Sequence, residues 1–158
     1  MQTPSDPEAA ESASPHLMSV LPSLGEAVAT IGARFDQHGA MGLLLIDASV
    51  ALAIEERYGE EAASRSLGAL GELVSELAGE LLPPDDLVVA GETGRSELLV
   101  IFFRDIGAGD FLSQELPDFE STLATLLEQR GLSVFYPYLR TAPRLPMAWV
   151  WACTRCSP

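Results

Sequence analysis

The sequence has no lysine. All nine of its basic residues are arginines, set against 23 Asp and Glu, which leaves a formal net charge of −14 over 158 residues. So acidic a surface repels nucleic acid and anionic membrane, because both kinds of binding rest on Lys and Arg neutralising phosphates. A polyphosphate ligand is disfavoured as well, unless a metal ion or backbone amides meet it. Long apolar runs are also missing. The two longest, Met41–Ile46 and Leu98–Phe103, fall far short of the about 20 residues that a membrane helix needs. The opening MQTPSDPEAAESASP has no basic n-region and no apolar h-region, so it does not read as a secretory signal. The expectation is a cytoplasmic chain.

Cysteine is scarce. The two present, Cys153 and Cys156, form CTRC at the C-terminal end. Such a pair can be redox-active or half of a zinc site. Redox use favours a first thiol at a helix N-terminus, and here it follows the strand-like MAWVWA. A structural zinc needs two more ligands, while His16 and His38 lie near the other end. The expectation is two thiols without special role, and neither metal nor cofactor.

What is present suits one domain with a short extension: apolar residues make up 47% of the chain, enough for a core. Residues 1–15, rich in Pro, Ser, Ala and acids, are expected to form a disordered tail. Residues 16–38 are expected to be largely helical. Leu17, Leu21, Leu24, Val28, Ile31 and Phe35 recur at spacings of four and three, Pro22 suits a first turn, and Gly39 a stop. The seam of Leu24, Val28, Ile31 and Phe35 must be covered either by the chain's own sheet or by a second chain. Intrachain packing is the first expectation, and a homodimer or a protein partner the rival.

Residues 39–158 read as the main domain. AMGLLLIDA is a buried central strand ending at Asp47, its apolar run implying cover on both faces. A stripe of Leu67, Leu70, Leu73, Val74, Leu77 and Leu81 marks a long helix ending before Pro83-Pro84. DLVVAGETGRSELLVIFF gives two strands around a turn. Phe119, Leu123, Leu126 and Leu127 mark a helix from Pro117 to Gly131, and LSVFYPYL and MAWVWACT suggest two further strands. The order is a helix followed by β-α-α-β-β-α-β-β. The fold class is α+β: one antiparallel-containing sheet flanked by helices.

LLLIDASVALAIEERYGEEAASRSL, together with DLV and GRSELLVIF, resembles the GGDEF family of diguanylate cyclases. Leu43–Ile46 match its first strand, Asp47 that strand's terminal acid, Tyr58-Gly59 the close of the short helix, and Leu67 the family's leucine. GRSEL stands at the signature: Gly94, Arg95, Ser96, Glu97 and Leu98. The resemblance implies a GGDEF or nucleotide-cyclase-like sheet and, in the family, a site where acids hold two divalent metals against GTP. The pattern here is degenerate. Ser96 replaces a metal-binding acid, and a neutral hydroxyl is a weak Mg²⁺ ligand. Arg95 replaces the second glycine, which in the family lets the turn lie close to the nucleotide. Glu55 and Ser64 stand at the guanine-contacting positions, Ala63 replaces a glycine, and the Arg-x-x-Asp of the product-inhibition site is absent from PPDDLVVAGET. No helix follows the last strand to supply the family's basic phosphate ligands. Asp47 and Glu97 also have plain readings, Asp47 as a cap for the next helix and Glu97 as a solvated strand end. The resemblance thus points to a catalytically inactive, protein-interacting module with weak or no nucleotide binding. The alternatives are a non-catalytic GTP or cyclic di-GMP sensor, an active cyclase, or a likeness of fold alone, shared with class III nucleotide cyclases and palm-type polymerases.

Overall fold

The computed structural model describes residues 21–92 and 96–154. The expected tail, His16, Leu17, Gly94, Arg95 and Cys156 lie outside them. Helix α1 (Leu24–His38) leads into strand β1 (Gly39–Asp47), followed by α2 (Val50–Tyr58), α3 (Glu60–Leu81), β2 (Leu87–Ala90) and β3 (Glu97–Asp105). A π-helical turn, Phe111–Glu115, then opens α4 (Leu116–Phe135), and β4 (Met147–Cys153) closes the fold. The four strands form one sheet in the order β2-β3-β1-β4, with every pair antiparallel. No helix among the described residues is long and apolar enough to cross a membrane.

The sheet divides two cores. On one face Leu44, Ile46, Leu98, Val100 and Phe102 pack against α2, α3 and α4. On the other, Val89, Leu99, Ile101 and Phe103 are covered by Ala27, Leu24, Ile31 and Phe35 of α1. Because side chains alternate along a strand, the unbroken run LLVIFF of β3 serves both cores and is buried throughout. β1 is central, as its sequence suggests, but unevenly covered: Leu44 and Ile46 are fully buried, whereas Leu43 and Leu45 are half-buried on the α1 side.

Helix α1 starts with a reciprocal cap. Ser23 Oγ accepts from the Glu26 N–H, and the Glu26 carboxylate accepts from the Ser23 N–H at 2.8 Å, satisfying two donors that the first turn would leave open. The Ser23 N–H and, after it, the Ser23 hydroxyl at 2.8 Å both donate to the Glu26 carboxylate and hold that carboxyl below its usual value. Pro22 is therefore not in the first turn as expected. It precedes the cap, and its carbonyl accepts the Ala90 N–H at 2.9 Å. The seam is also corrected at one position. Val28 is 59% exposed, and Ala27 takes the inward place between Leu24 and Ile31. The sheet, within the same chain, covers Leu24, Ile31 and Phe35. At the other end Gly39, at φ 81°, caps α1 and is also the first residue of β1.

LSVFYPYL is not a strand. α4 continues to Phe135, and Gly131 lies inside the helix rather than ending it. The reason is the buried stripe Leu123, Leu127, Gly131 and Phe135, which keeps helical period past the glycine. The helix ends where Tyr136 precedes Pro137, a position that disfavours helical backbone. One predicted strand is therefore missing, and MAWVWAC alone supplies β4. Cys153, expected as a thiol, is disulfide-bonded.

Candidate functional site

β1 and β3 end together. Their register pairs Asp47 with Glu97 and Ile46 with Leu98, so the last acid of one strand and the first acid of the next share the face that carries Leu45 and Leu99. The backbone fixes this end on both sides: the Asp47 N–H donates to Pro146 O at 2.8 Å and the Ala48 N–H to Ser96 O at 2.8 Å. Ser96 thus enters the site through its carbonyl, directly before Glu97. Buried Gly91 donates its N–H to Glu97 O at 2.9 Å, and a Cβ at that position would stand 3.1 Å from Glu97 Cβ. The glycine leaves the space in which the Glu97 side chain lies.

Asp47 is already engaged. Its Oδ1 accepts the Ser49 N–H at 2.8 Å, an Asx-type turn that pins the two residues leading into α2. Asp47 does not cap that helix, whose N-cap is Ser49 and which has no side-chain cap bond. Glu55 and Ser64 stand apart from the strand ends. Both are exposed, Glu55 on the outer side of α2, whose Ala51 and Ile54 face inward, and Ser64 on α3 beside buried Ala62 and Ala63. Leu98 is a core residue. Among the described residues no three His, Cys, Asp or Glu side chains cluster in a metal-holding arrangement.

The far end of β3 carries charged residues that sequence reasoning missed. Arg104 and Asp86 are buried together, with side chains 8% and 2% exposed. Arg104 Nη1 donates to Asp86 Oδ1 at 2.8 Å, and its Nε donates to Glu115 Oε2 at 2.9 Å. The guanidinium also lies 4.8 Å from the Phe111 ring centroid, a cation–π distance. Burial pushes the Asp86 carboxyl above its usual value, and the hydrogen bonds from Arg104 and the Phe103 N–H offset this only in part. Burial pulls Arg104 the other way, but the Asp86 hydrogen bond and charge, with help from Glu115, hold it above its usual value. Nearby, His38 Nδ1 lies 2.8 Å from Asp105 Oδ1. One sequence signal was available: Arg104 is the first charge to follow the apolar run LLVIFF. A cleft of about 430 Å³ lies between the end of α3 and β2, lined by Ser75, Gly79, Leu82, Pro84, Asp86 and Val88.

Solved structures with this topology identify the fold. The GGDEF domain of YfiN (TpbB) from Pseudomonas aeruginosa matches 85% of this chain and 78% of its own length at 15% identity, with a TM-score of 0.57. The chain has the GGDEF-domain fold. A Vibrio cholerae LapD structure comprising S helix, GGDEF and EAL parts, bound to c-di-GMP, matches 89% of this chain at 15% identity and a TM-score of 0.56, and the match spans 29% of that longer protein. No family model matches the sequence, and neither does any curated protein. At such identity the GGDEF likeness is one of fold, and function must be argued from the site.

Proposed function

We propose that this chain is a GGDEF-fold domain without cyclase activity that acts in bacterial cyclic di-GMP signalling through contact with another protein. The observation that carries this reading is the makeup of the β1–β3 strand ends. Two carboxylates, Asp47 and Glu97, face each other there, one already accepts a backbone N–H, and the residue between the signature turn and Glu97 is the neutral Ser96. The resemblance calls for a further acid where the neutral Ser96 stands, and a hydroxyl is a weak Mg²⁺ ligand, so the donor set is one carboxylate short of the metal pair the fold family implies. The measurement is incubation of the purified protein with GTP and Mg²⁺ or Mn²⁺. The expected result is no cyclic di-GMP above an enzyme-free blank. Product that disappears in Asp47→Ala would overturn the reading.

One observation favours a second reading, a sensor that binds without turnover. The Glu55 carboxylate is exposed and has no hydrogen-bond partner among the described residues, and a carboxylate can accept from the N1–H and N2–H₂ of guanine. Against it stand the acidic chain and the missing Arg-x-x-Asp. Calorimetry is expected to show no saturable heat with GTP or cyclic di-GMP. Micromolar binding that is lost in Glu55→Gln would replace the first reading with the sensor.

A further inference from the structure

The two outer edges of the sheet are finished differently. β2 is four residues long, and its edge is closed by the Pro22–Ser23 segment, through the Ala90 N–H to Pro22 O bond and a parallel bridge between Ser23 and Ala90. β4 is seven residues long, reads MAWVWAC and pairs only with β1. It has no charged residue and no proline, the usual guards of an open edge. Among the described residues, the outward backbone groups of 148–152 have no partner. Trp149 is 47% exposed and Val150 64% exposed, while α1 rests on β1, β2 and β3.

Charge along the last part of the sequence, which carries this edge, runs against the rest of the chain. No Asp or Glu follows Glu128, yet four of the nine arginines do: Arg130, Arg140, Arg144 and Arg155. Arg140 and Arg144, in the segment leading into β4, are exposed and have no ion pair among the described residues. A second copy is a poor occupant. Its sequence around β4 brings the same arginines and no acid to the edge, so it offers no charge complement to Arg140 and Arg144.

We propose that the β4 edge is a docking site for an extended segment of a partner protein, apolar at its centre and acidic at its flanks, which adds to the sheet as a further strand. The proposal rests on the reading of the domain as a binding module rather than an enzyme. Backbone pairing supplies the contact, Trp149 and Val150 the apolar surface, and Arg140 and Arg144 the choice of acidic over basic flanks.

The test uses the full chain and a fluorescein-labelled peptide of alternating valine and threonine with two glutamates at each end, read by fluorescence anisotropy. Saturable binding that weakens with added salt is expected. The same peptide with lysine flanks should bind at least about ten-fold more weakly. Arg140→Glu combined with Arg144→Glu should weaken the acidic peptide about ten-fold or more, with the circular dichroism and melting point unchanged because both side chains are exposed. Val150→Glu should abolish binding. If that variant fails to fold, the arginine double variant carries the test. No saturable binding by the parent chain, or equal binding of the two peptides, would overturn the proposal. So would a parent dimer in sedimentation that Val150→Glu returns to a folded monomer, since the edge would then belong to a second copy. The GTP assay separates the two readings. Cyclic di-GMP synthesis alongside peptide binding refutes the loss of catalysis and leaves the edge standing, whereas neither synthesis nor binding refutes the edge alone.

Discussion

β1 and β3 run side by side from Gly39↔Asp105 to Asp47↔Glu97, and the two ends of that ladder are built on opposite plans. At the Asp47 end two half-buried acids face each other with no cation paired to them among the described residues, held by backbone bonds and one short turn contact. At the Asp105 end a buried arginine binds an almost fully buried aspartate and a second acid, ties in an aromatic ring, and has a histidine–aspartate contact beside it. The Asp47 end is chemically spare, while the far end joins the approach to β2, the close of β3 and the turn that opens α4. An acid left without a cation near water costs little, but the same acid inside the core must be paired.

The comparison is sharpest at Arg104. Arg104→Met keeps much of the side-chain volume and strands the Asp86 carboxylate, so it is expected to cost about 3–5 kcal/mol of unfolding free energy in urea titration at neutral pH. Acid should partly rescue the variant. The Asp86 carboxyl is already held above its usual value by burial, and a folded-state value above the unfolded one means stability gained as pH falls through it and lost as pH rises. Without the guanidinium that value rises further, so the gap between variant and parent should narrow on acidification. A cost under about 1 kcal/mol, or a gap that widens in acid, would place this network among surface ion pairs. At the opposite end, Asp47→Ala removes one turn contact at an exposed N–H and is expected to cost about 1 kcal/mol or less. A loss matching that of Arg104→Met would erase the contrast between the two ends.

Much of the architecture was legible because its signals are periodic. The run LLLI, the doubled run LLVIFF and the leucine stripe of α3 each follow a period that one backbone form can satisfy. The errors arose where period and punctuation conflicted. Gly131 looked like a helix stop and the residues after it like a strand, but Phe135 completes the stripe that Leu123 and Leu127 begin. Val28 fits a heptad on paper, yet it lies off the face of α1 that meets the sheet, and the smaller Ala27 is buried there instead. At the candidate site the resemblance singles out Asp47 and Glu97 one by one, the β1–β3 register brings them opposite each other, and the Asp47 contact spans two residues. The Arg104 network could not be read in this way. Its bonds bridge separations of 18 and 11 residues, and only the pairing of β2 with β3 and the turn before α4 bring those groups together.

Gly39 gives α1 a mechanical role. The helix ends at His38 and β1 starts at the next residue, so no loop lies between them to absorb a twist. The joint is closed on all sides. The Gly39 N–H is held by Phe35 O, its carbonyl accepts from the Thr154 N–H at 2.8 Å, and any Cβ there would stand 2.7 Å from Ile106. A displacement of α1 has no loop to take it up and must bear directly on β1, whose other end, Asp47, lies about 27 Å away at about 3.4 Å per residue.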